Sequence, residues 1–232
     1  VDAGIGTVLE VLRDAGLYDD ALIVVTSDHG ESFLDHKVWI GHGLFLTDDE
    51  IRIPLVIKLP KNRGAGTRVV ELTRLVDVAP TILDTVGVDL PTSFAGASLL
   101  PIMGGAGDPE PRVAYGSSSN TGGHYVRTLE RKYITAWGRP QEVVEERHLH
   151  PTGDPPFLHF IDSGERFFDL DLDPDELINL KDAADRQDEL DDFRRRATDA
   201  SLVPVDTPPD DTPLALDLEE IERLRALGYL QE

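Results

Sequence analysis

Ile5, Val8, Leu9 and Leu12 recur at three- and four-residue spacing, which predicts an amphipathic helix over residues 2–16 with Gly16 at its C-terminal cap. The pattern then changes to an unbroken apolar run, Ala21-Leu22-Ile23-Val24-Val25-Thr26, rich in β-branched residues. Such a run fits a strand buried on both faces, as in a parallel sheet. Residues 31–50 read as a polar, histidine-bearing loop, and Arg52 to Leu59 as a second buried strand closed by Pro60 and the Gly64-Ala65-Gly66 turn. Val76 to Val86 returns to helical spacing, with Pro80 and Thr81 near its start and Asp77 as its N-cap. Residues 91–123 are loop-like, with one short element at Ser98–Ile102.

The second half is built differently. His124 to Trp137 predicts an antiparallel hairpin with arms Tyr125–Arg127 and Lys132–Ile134. A poorly patterned loop follows over 138–165, then a strand from Arg166 to Leu170 ended by the Asp171–Pro174 turn. Residues 177–199 read as a charged surface helix, 203–213 as a Pro/Asp-rich linker, and Leu218–Leu227 as a short final helix capped by Gly228. Helix, buried strand and polar loop in succession give the rhythm of an α/β fold. The expected division is an α/β core over 1–112, a small antiparallel sheet and helix over 113–202, and a linker with terminal helix over 203–232.

With 232 residues and 40% apolar content, the chain can build one core with a smaller appended layer. Its net charge of −22 argues against a nucleic-acid or anionic-membrane partner, because phosphate surfaces need Lys and Arg to neutralise them. There is no cysteine, which excludes disulfides, thiolate metal sites and a cysteine nucleophile in this chain. No run approaches the roughly 20 apolar residues of a membrane-spanning helix. The chain opens at Val1 without Met or a leader, so it is expected to be a fragment or trimmed product with sequence missing upstream.

The chemistry concentrates where the first strand ends. In open α/β sheets, ligands bind beyond the carboxyl ends of the strands, and Asp28 and His29 fall there. Side by side they offer a carboxylate oxygen and an imidazole nitrogen, donors suited to a divalent cation in an oxygen-rich site. Two donors do not complete a shell, so further ligands must come from elsewhere. His42 sits between Gly41 and Gly43, which permit close approach to a ligand. His36 is either a substrate-side group or a structural hydrogen bond to Glu31 or a backbone carbonyl. Glu31 either orients His29 as an acceptor or places charge at a helix N-terminus. His148, His150 and His159 show no ligand-like spacing.

The segment Thr26-Ser27-Asp28-His29-Gly30-Glu31, the following Gly41-His42-Gly43, and Arg52-Ile53-Pro54-Leu55 together resemble the sulfatase family of the alkaline phosphatase superfamily. The likeness continues, in order, through Val76-Asp77-Val78-Ala79-Pro80-Thr81, Gly96-Ala97-Ser98-Leu99-Leu100, Lys132-Tyr133-Ile134, Phe168-Asp169-Leu170 with Asp173-Pro174, and Leu224-Arg225-Ala226-Leu227-Gly228-Tyr229. It implies an alkaline-phosphatase-like α/β fold, with a mostly parallel sheet flanked by helices and a smaller C-terminal antiparallel sheet plus helix. Asp28 and His29 match the family's metal ligands. His42 matches a catalytic and substrate-binding position that touches sulfate or phosphate oxygens, with His36 as a second substrate-side candidate. Lys37 lies near, but not at, the family's usual lysine position.

The resemblance implies hydrolysis of a small-molecule or glycan sulfate ester, with one divalent metal ion. Ca²⁺ is the first choice; Mn²⁺, Mg²⁺ and Zn²⁺ are alternatives. The family's nucleophile and two further acidic ligands lie upstream of the matched segments. A phosphodiesterase, phosphonate hydrolase or phosphoethanolamine transferase of the same superfamily is the alternative activity, and a catalytically incomplete fragment is the non-enzymatic one. Export to the periplasm or exterior is the compartment the resemblance leans toward.

Overall fold

The computed structural model describes residues 1–36, 40–43, 45–107, 111–118, 121–135 and 164–201. Lys37, His148, His150, His159, the expected linker over 203–213 and the expected terminal helix over 218–227 lie outside the described residues. Residues 1–201 form one compact unit.

Helix α1 spans Asp2–Asp14. It ends as its sequence predicts: Gly16 takes φ 70°, the Gly16 amide bonds the Arg13 carbonyl at 2.9 Å, and the Leu17 amide reaches back to the Leu12 carbonyl at 2.9 Å. This paired closure is the Schellman arrangement that glycine favours. Its apolar stripe is left open among the described residues: Val8 and Val11 are about 60% exposed, and no residue of the helix is buried.

Strand β1 (Ile23–Thr26) pairs with β4 (Leu55–Lys58) in antiparallel register, Ile23 opposite Lys58 and Thr26 opposite Leu55. The expectation of full burial on both faces is corrected here. Ile23, Val24 and Val25 are half-buried, and Val56 on β4 is exposed. The partner that the chain itself supplies is antiparallel, so the apolar content of β1 exceeds what this part of the sheet covers. Between the two strands, the described residues of 31–50 are more than a polar loop. They hold a minimal hairpin, β2 (Ser32–Phe33) with β3 (Ile40–Gly41), and a single helical turn, α2 (Asp48–Ile51).

Helix α3 runs Val78–Thr85 after a 3₁₀ turn at Leu75–Asp77. Asp77 stands at its N-cap position but makes no side-chain cap. Two guanidiniums claim its carboxylate instead. Arg74 approaches to 2.8 Å and Arg112 to 2.8 Å, and the Ala97 amide donates at 3.0 Å to the same fully buried group. Asp77 therefore ties three loops together rather than starting one helix. Helix α4 covers Leu100–Met103.

The C-terminal half is a four-stranded antiparallel meander, β5 (Ala114–Ser117), β6 (His124–Arg127), β7 (Arg131–Ile134) and β8 (Arg166–Asp169), in that spatial order. The predicted hairpin arms are β6 and β7. The strand period of two sends alternate residues to opposite faces. Val126, Tyr133 and Phe167 face helix α5 (Gln187–Ser201) and pack on Leu190, Phe193 and Ala197. Ile134, Phe168 and Tyr125 face the other way and pack with Leu46 and Ile51. The sheet is thus a plate with a helix on one side and the histidine-bearing segment on the other.

The helix expected over 177–199 begins only at Gln187, with a 3₁₀ turn before it at Ala184–Arg186. Side-chain acceptors capture the backbone first. Asp173 accepts the amides of Leu177 (3.0 Å) and Ile178 (2.7 Å), and Asn179 accepts those of Phe167 (3.0 Å) and Lys181 (3.1 Å). Such local bonds compete with helix formation.

A buried ionic group joins the plate to the histidine-bearing segment. Lys132, fully buried on β7, lies 3.0 Å from Asp48 and 2.7 Å from Glu176. Arg127 on β6 bonds Asp48 at 2.9 Å, and the Asp48 amide donates to Glu176 at 2.6 Å. Burial alone would raise the Asp48 pKa, but Lys132 and Arg127 outweigh it and hold the group ionised, well below the ordinary value. Removing the central cation leaves the buried Glu176 carboxylate without its ion pair and close to Asp48. Lys132→Met is expected to lower the unfolding free energy by about 3–5 kcal/mol in urea titrations. Arg195→Ala, at the exposed helical pair with Asp192, should leave it nearly unchanged.

Candidate metal centre

The segment that follows β1 is folded by its own short polar side chains. Ser27 Oγ donates to the His29 carbonyl at 2.7 Å, and the His29 amide donates to Asp28 Oδ1 at 3.0 Å. His29 Nδ1 lies 2.8 Å from the Gly30 carbonyl. A carbonyl only accepts, so Nδ1 carries the hydrogen and Nε2 keeps a lone pair in the neutral ring. That nitrogen stands 3.7 Å from Asp28 Oδ2, with both side chains partly open to solvent.

Gly30 is required by a close approach rather than by its backbone angle. A Cβ there would sit 2.2 Å from the Asp49 carbonyl oxygen. Without one, the Gly30 amide reaches the Glu50 carbonyl at 2.7 Å, locking the turn after His29 to helix α2. Gly30→Ala is expected to push these two segments apart. Its thermal midpoint should fall by several degrees, with the near-ultraviolet signature of the remaining fold retained.

His42 arrives from the β2–β3 hairpin, between Gly41 (φ 142°) and Gly43 (φ 82°). Its ring stacks on that of His29, centroids 3.9 Å apart and planes inclined by 26°. His42 Nδ1 lies 3.0 Å from Glu31 Oε2. Glu31 thus orients His42, not His29, and leaves His42 Nε2 as the ring atom directed away from that contact.

The donor chemistry fits a divalent cation at Asp28 and His29. Ligand atoms at right angles around a Ca²⁺-sized ion lie roughly 3.3–3.7 Å apart, and the separation of Asp28 Oδ2 and His29 Nε2 is 3.7 Å. A second donor set shares His29: the ligand atoms of His29, Glu31 and His42 lie within 4.8 Å of one another. In that set Glu31 and His42 already share a hydrogen bond.

His36 belongs to a different, buried group with Asp49 and Glu176. Its Nε2 lies 3.0 Å from the Asp175 carbonyl and its Nδ1 3.6 Å from Asp49 Oδ1. Of the two readings open for His36, this arrangement is the backbone-carbonyl tie. Burial would lower the His36 pKa and raise that of Asp49. The Asp49 carboxylate and the Asp175 carbonyl outweigh burial for His36, and His36, Thr47 and Ser32 outweigh it for Asp49, raising His36 above its ordinary 6.5 and bringing Asp49 down to about 2. The sign differs for the two groups. Asp49 stabilises the fold above its unfolded value near 3.8, and the contribution is lost as pH falls toward about 2. His36 stabilises it below 6.5, and the contribution is lost as pH rises through the raised folded value. The urea midpoint should therefore be highest between about pH 4 and 6.5. His36→Gln should remove most of the alkaline decline while leaving the acid limb.

Three residues that shape this region carry no sequence flag as chemistry: Glu50, Lys132 and Glu176. Thr47-Asp48-Asp49-Glu50 does have the Thr-x-x-Glu spacing of a capping box, a signal that could have singled out Glu50. The pairing of Lys132 with Glu176 spans 44 positions and has no local signature.

Comparison with known proteins now identifies the class. A structure solved with its substrate D-glucosamine-2-N,6-O-disulfate superposes with a TM-score of 0.65 at 26% identity, over 91% of this chain and 40% of that one. Phosphonate monoester hydrolase of Agrobacterium radiobacter superposes with a TM-score of 0.57 at 26% identity, over 84% of this chain and 39% of that one. The fold is the alkaline-phosphatase-like α/β fold of sulfatases. The Sulfatase family model matches residues 1–88. Over 78% of its length the chain is 34% identical to the multifunctional alkaline phosphatase superfamily protein PehA of Trinickia caryophylli, covering 34% of that protein. Over 78% of its length it is 33% identical to N-acetylglucosamine-6-O-sulfatase of Bacteroides thetaiotaomicron, covering 30% of that protein. The chain belongs to the sulfatase family, and it spans about a third of the length of the curated relatives it matches.

Proposed function

We propose that the chain carries part of the active site of a metal-dependent hydrolase of sulfate esters. One observation carries this reading: Asp28, His29 and His42 meet at the end of a sheet strand, with the two imidazoles stacked. Asp28 and His29 would hold a divalent cation, Ca²⁺ before Mn²⁺, Mg²⁺ or Zn²⁺. When bound, such a cation neutralises sulfate oxygens and lowers the proton affinity of a nucleophile. The nucleophile and the remaining acidic ligands are assigned to sequence beyond residues 1–232, so this chain by itself is catalytically incomplete.

The chain's own residues perform two tasks. His29 keeps its Nε2 lone pair available because Nδ1–H is spent on the Gly30 carbonyl. His42, held at Nδ1 by Glu31, uses Nε2 to stabilise charge on the transferring group or to protonate the leaving oxygen. His36 is assigned to anchoring rather than substrate contact, because it is 5% exposed and engaged on both ring nitrogens.

Two named likenesses support a sulfated amino sugar as the substrate class: the N-acetylglucosamine-6-O-sulfatase, and the structure solved with a disulfated glucosamine. Phosphoryl or phosphonyl transfer is the second reading, favoured by the phosphonate monoester hydrolase neighbour and the multifunctional relative. The test uses the protein encoded by the complete reading frame. Sulfated glucosamine and 4-nitrophenyl sulfate should turn over faster than a phosphate diester or phosphonate monoester; the opposite ranking selects the second reading. Asp28→Asn and His29→Ala should each weaken divalent-metal binding by calorimetry and lower kcat/KM by roughly 10²-fold or more. Unchanged metal affinity in both variants would remove the assignment.

A further inference from the structure

Glu50 is a buried carboxylate with two separate holds on the site, and neither belongs to the machinery assigned above. Through its main chain, its carbonyl accepts the Gly30 amide at 2.7 Å, next to His29. Through its side chain, Oε2 accepts three amides from the segment that follows His42: Gly43 at 3.1 Å, Phe45 at 3.1 Å and Leu46 at 3.2 Å. Glu50 is 3% exposed. Charge-assisted bonds of this kind are roughly twice as strong as neutral ones, and three on one oxygen turn a flexible segment into a fixed nest.

The backbone bears the mark of that nest. Gly43 takes φ 82° and Leu46 takes φ 58°, a left-handed conformation that a leucine adopts only at a cost. The Leu46 amide is one of the three donors to Glu50, so the strained residue is held by the carboxylate it faces. Ser118, at the end of β5, grips the same segment from the other side by donating to the Gly43 carbonyl at 2.7 Å. The Leu46 side chain is buried with Phe168 and Ile134 on the plate, which fixes the far end. One residue thus sets the separation of the two backbone stretches whose imidazoles stack at 3.9 Å.

We propose that Glu50 is a positioning residue for the reaction, holding His42 in register with His29 through the Gly43–Leu46 amide nest. This rests on the reading of His42 as the group that meets the substrate. A merely structural role, as the third residue of helix α2, would show as lost stability with unchanged chemistry in the folded fraction. A positioning role predicts a loss in kcat that passes through His42.

The experiment compares Glu50→Gln, His42→Ala and the double variant in the protein from the complete reading frame. Glu50→Gln should lower kcat about 10-fold, with KM changed much less. In the His42→Ala background the same change should lower kcat less than about 2-fold. An equal fall in both backgrounds overturns the proposal. Amide hydrogen exchange gives an arm independent of turnover. Gly43, Phe45 and Leu46 should exchange at least about 10-fold faster in Glu50→Gln, while Val126, Tyr133 and Phe167 are unchanged. Unaltered exchange at the three amides also overturns it. If Glu50→Gln does not fold, exchange in the unsubstituted protein decides: protection of the three amides above that of solvent-exposed loop amides supports the nest, and free-loop rates refute it. If the unsubstituted protein hydrolyses no ester, the functional reading fails, and the exchange arm alone judges the nest.

Discussion

The ion group of Lys132, Asp48 and Glu176 is the constraint on which the architecture depends. A fully buried ammonium is costly unless it is paired and hydrogen-bonded, and here two carboxylates from distant parts of the chain close on it. Asp48 begins the helical turn behind the histidines. Glu176 belongs to the turn after β8 and accepts the Asp48 amide as well. The group therefore fixes where the four-stranded plate meets the site segment. The apolar contacts of Leu46 and Ile51 with Ile134 and Phe168 give that contact its area, and the ions give it its register. Apolar packing alone tolerates sliding by one residue far better than three charges spaced at 2.7 and 3.0 Å do.

From that anchor outward, exposure increases toward the histidine pair. His36 is buried, and its ring lies 3.6 Å from the half-buried Asp49 carboxylate. Glu50 is buried and gathers amides. His29, Asp28 and His42 are partly exposed. The same short run, Thr47 to Ile51, sends Asp48 to the plate, Asp49 to His36, and Glu50 to the His42 segment. A single turn of helix can do this because successive residues leave it about 100° apart, so three adjacent carboxylates address three directions.

Much of this region was legible in the sequence where the cause is local. Asp28 and His29 follow a β-branched run directly, and a strand end presents adjacent side chains together whatever the rest of the fold does. The Gly41-His42-Gly43 spacing likewise announced a backbone free to approach something. Gly30 stands in the matched motif, but its close approach to the Asp49 carbonyl was not legible. What could not be read depends on distant partners. His36 looks equally plausible at a substrate or in a core until the Asp175 carbonyl is placed beside it, 139 positions away. The late start of helix α5 has the same origin, because Asp173 and Asn179 take amides that helical spacing alone assigns to the helix. The apolar run at 21–26 has the composition of a doubly buried strand, whereas coverage is a property of neighbours, and among the described residues β1 pairs with β4 alone.

Electrostatic accounting narrows what the site can accept. A chain of net charge −22 should repel sulfate or phosphate, so an anion-binding reading has to explain where the negative charge goes. Around the site it is largely spent internally. Asp48 answers Arg127 and Lys132, Asp49 answers His36, Glu50 answers three amides, Glu176 answers Lys132, and Glu31 answers His42. Asp28 Oδ1 accepts the His29 amide, and Oδ2 lies 3.7 Å from His29 Nε2, with both side chains partly open to solvent. A cation between those two atoms would offset the carboxylate's charge and reverse the local sign, which is what an incoming oxyanion requires.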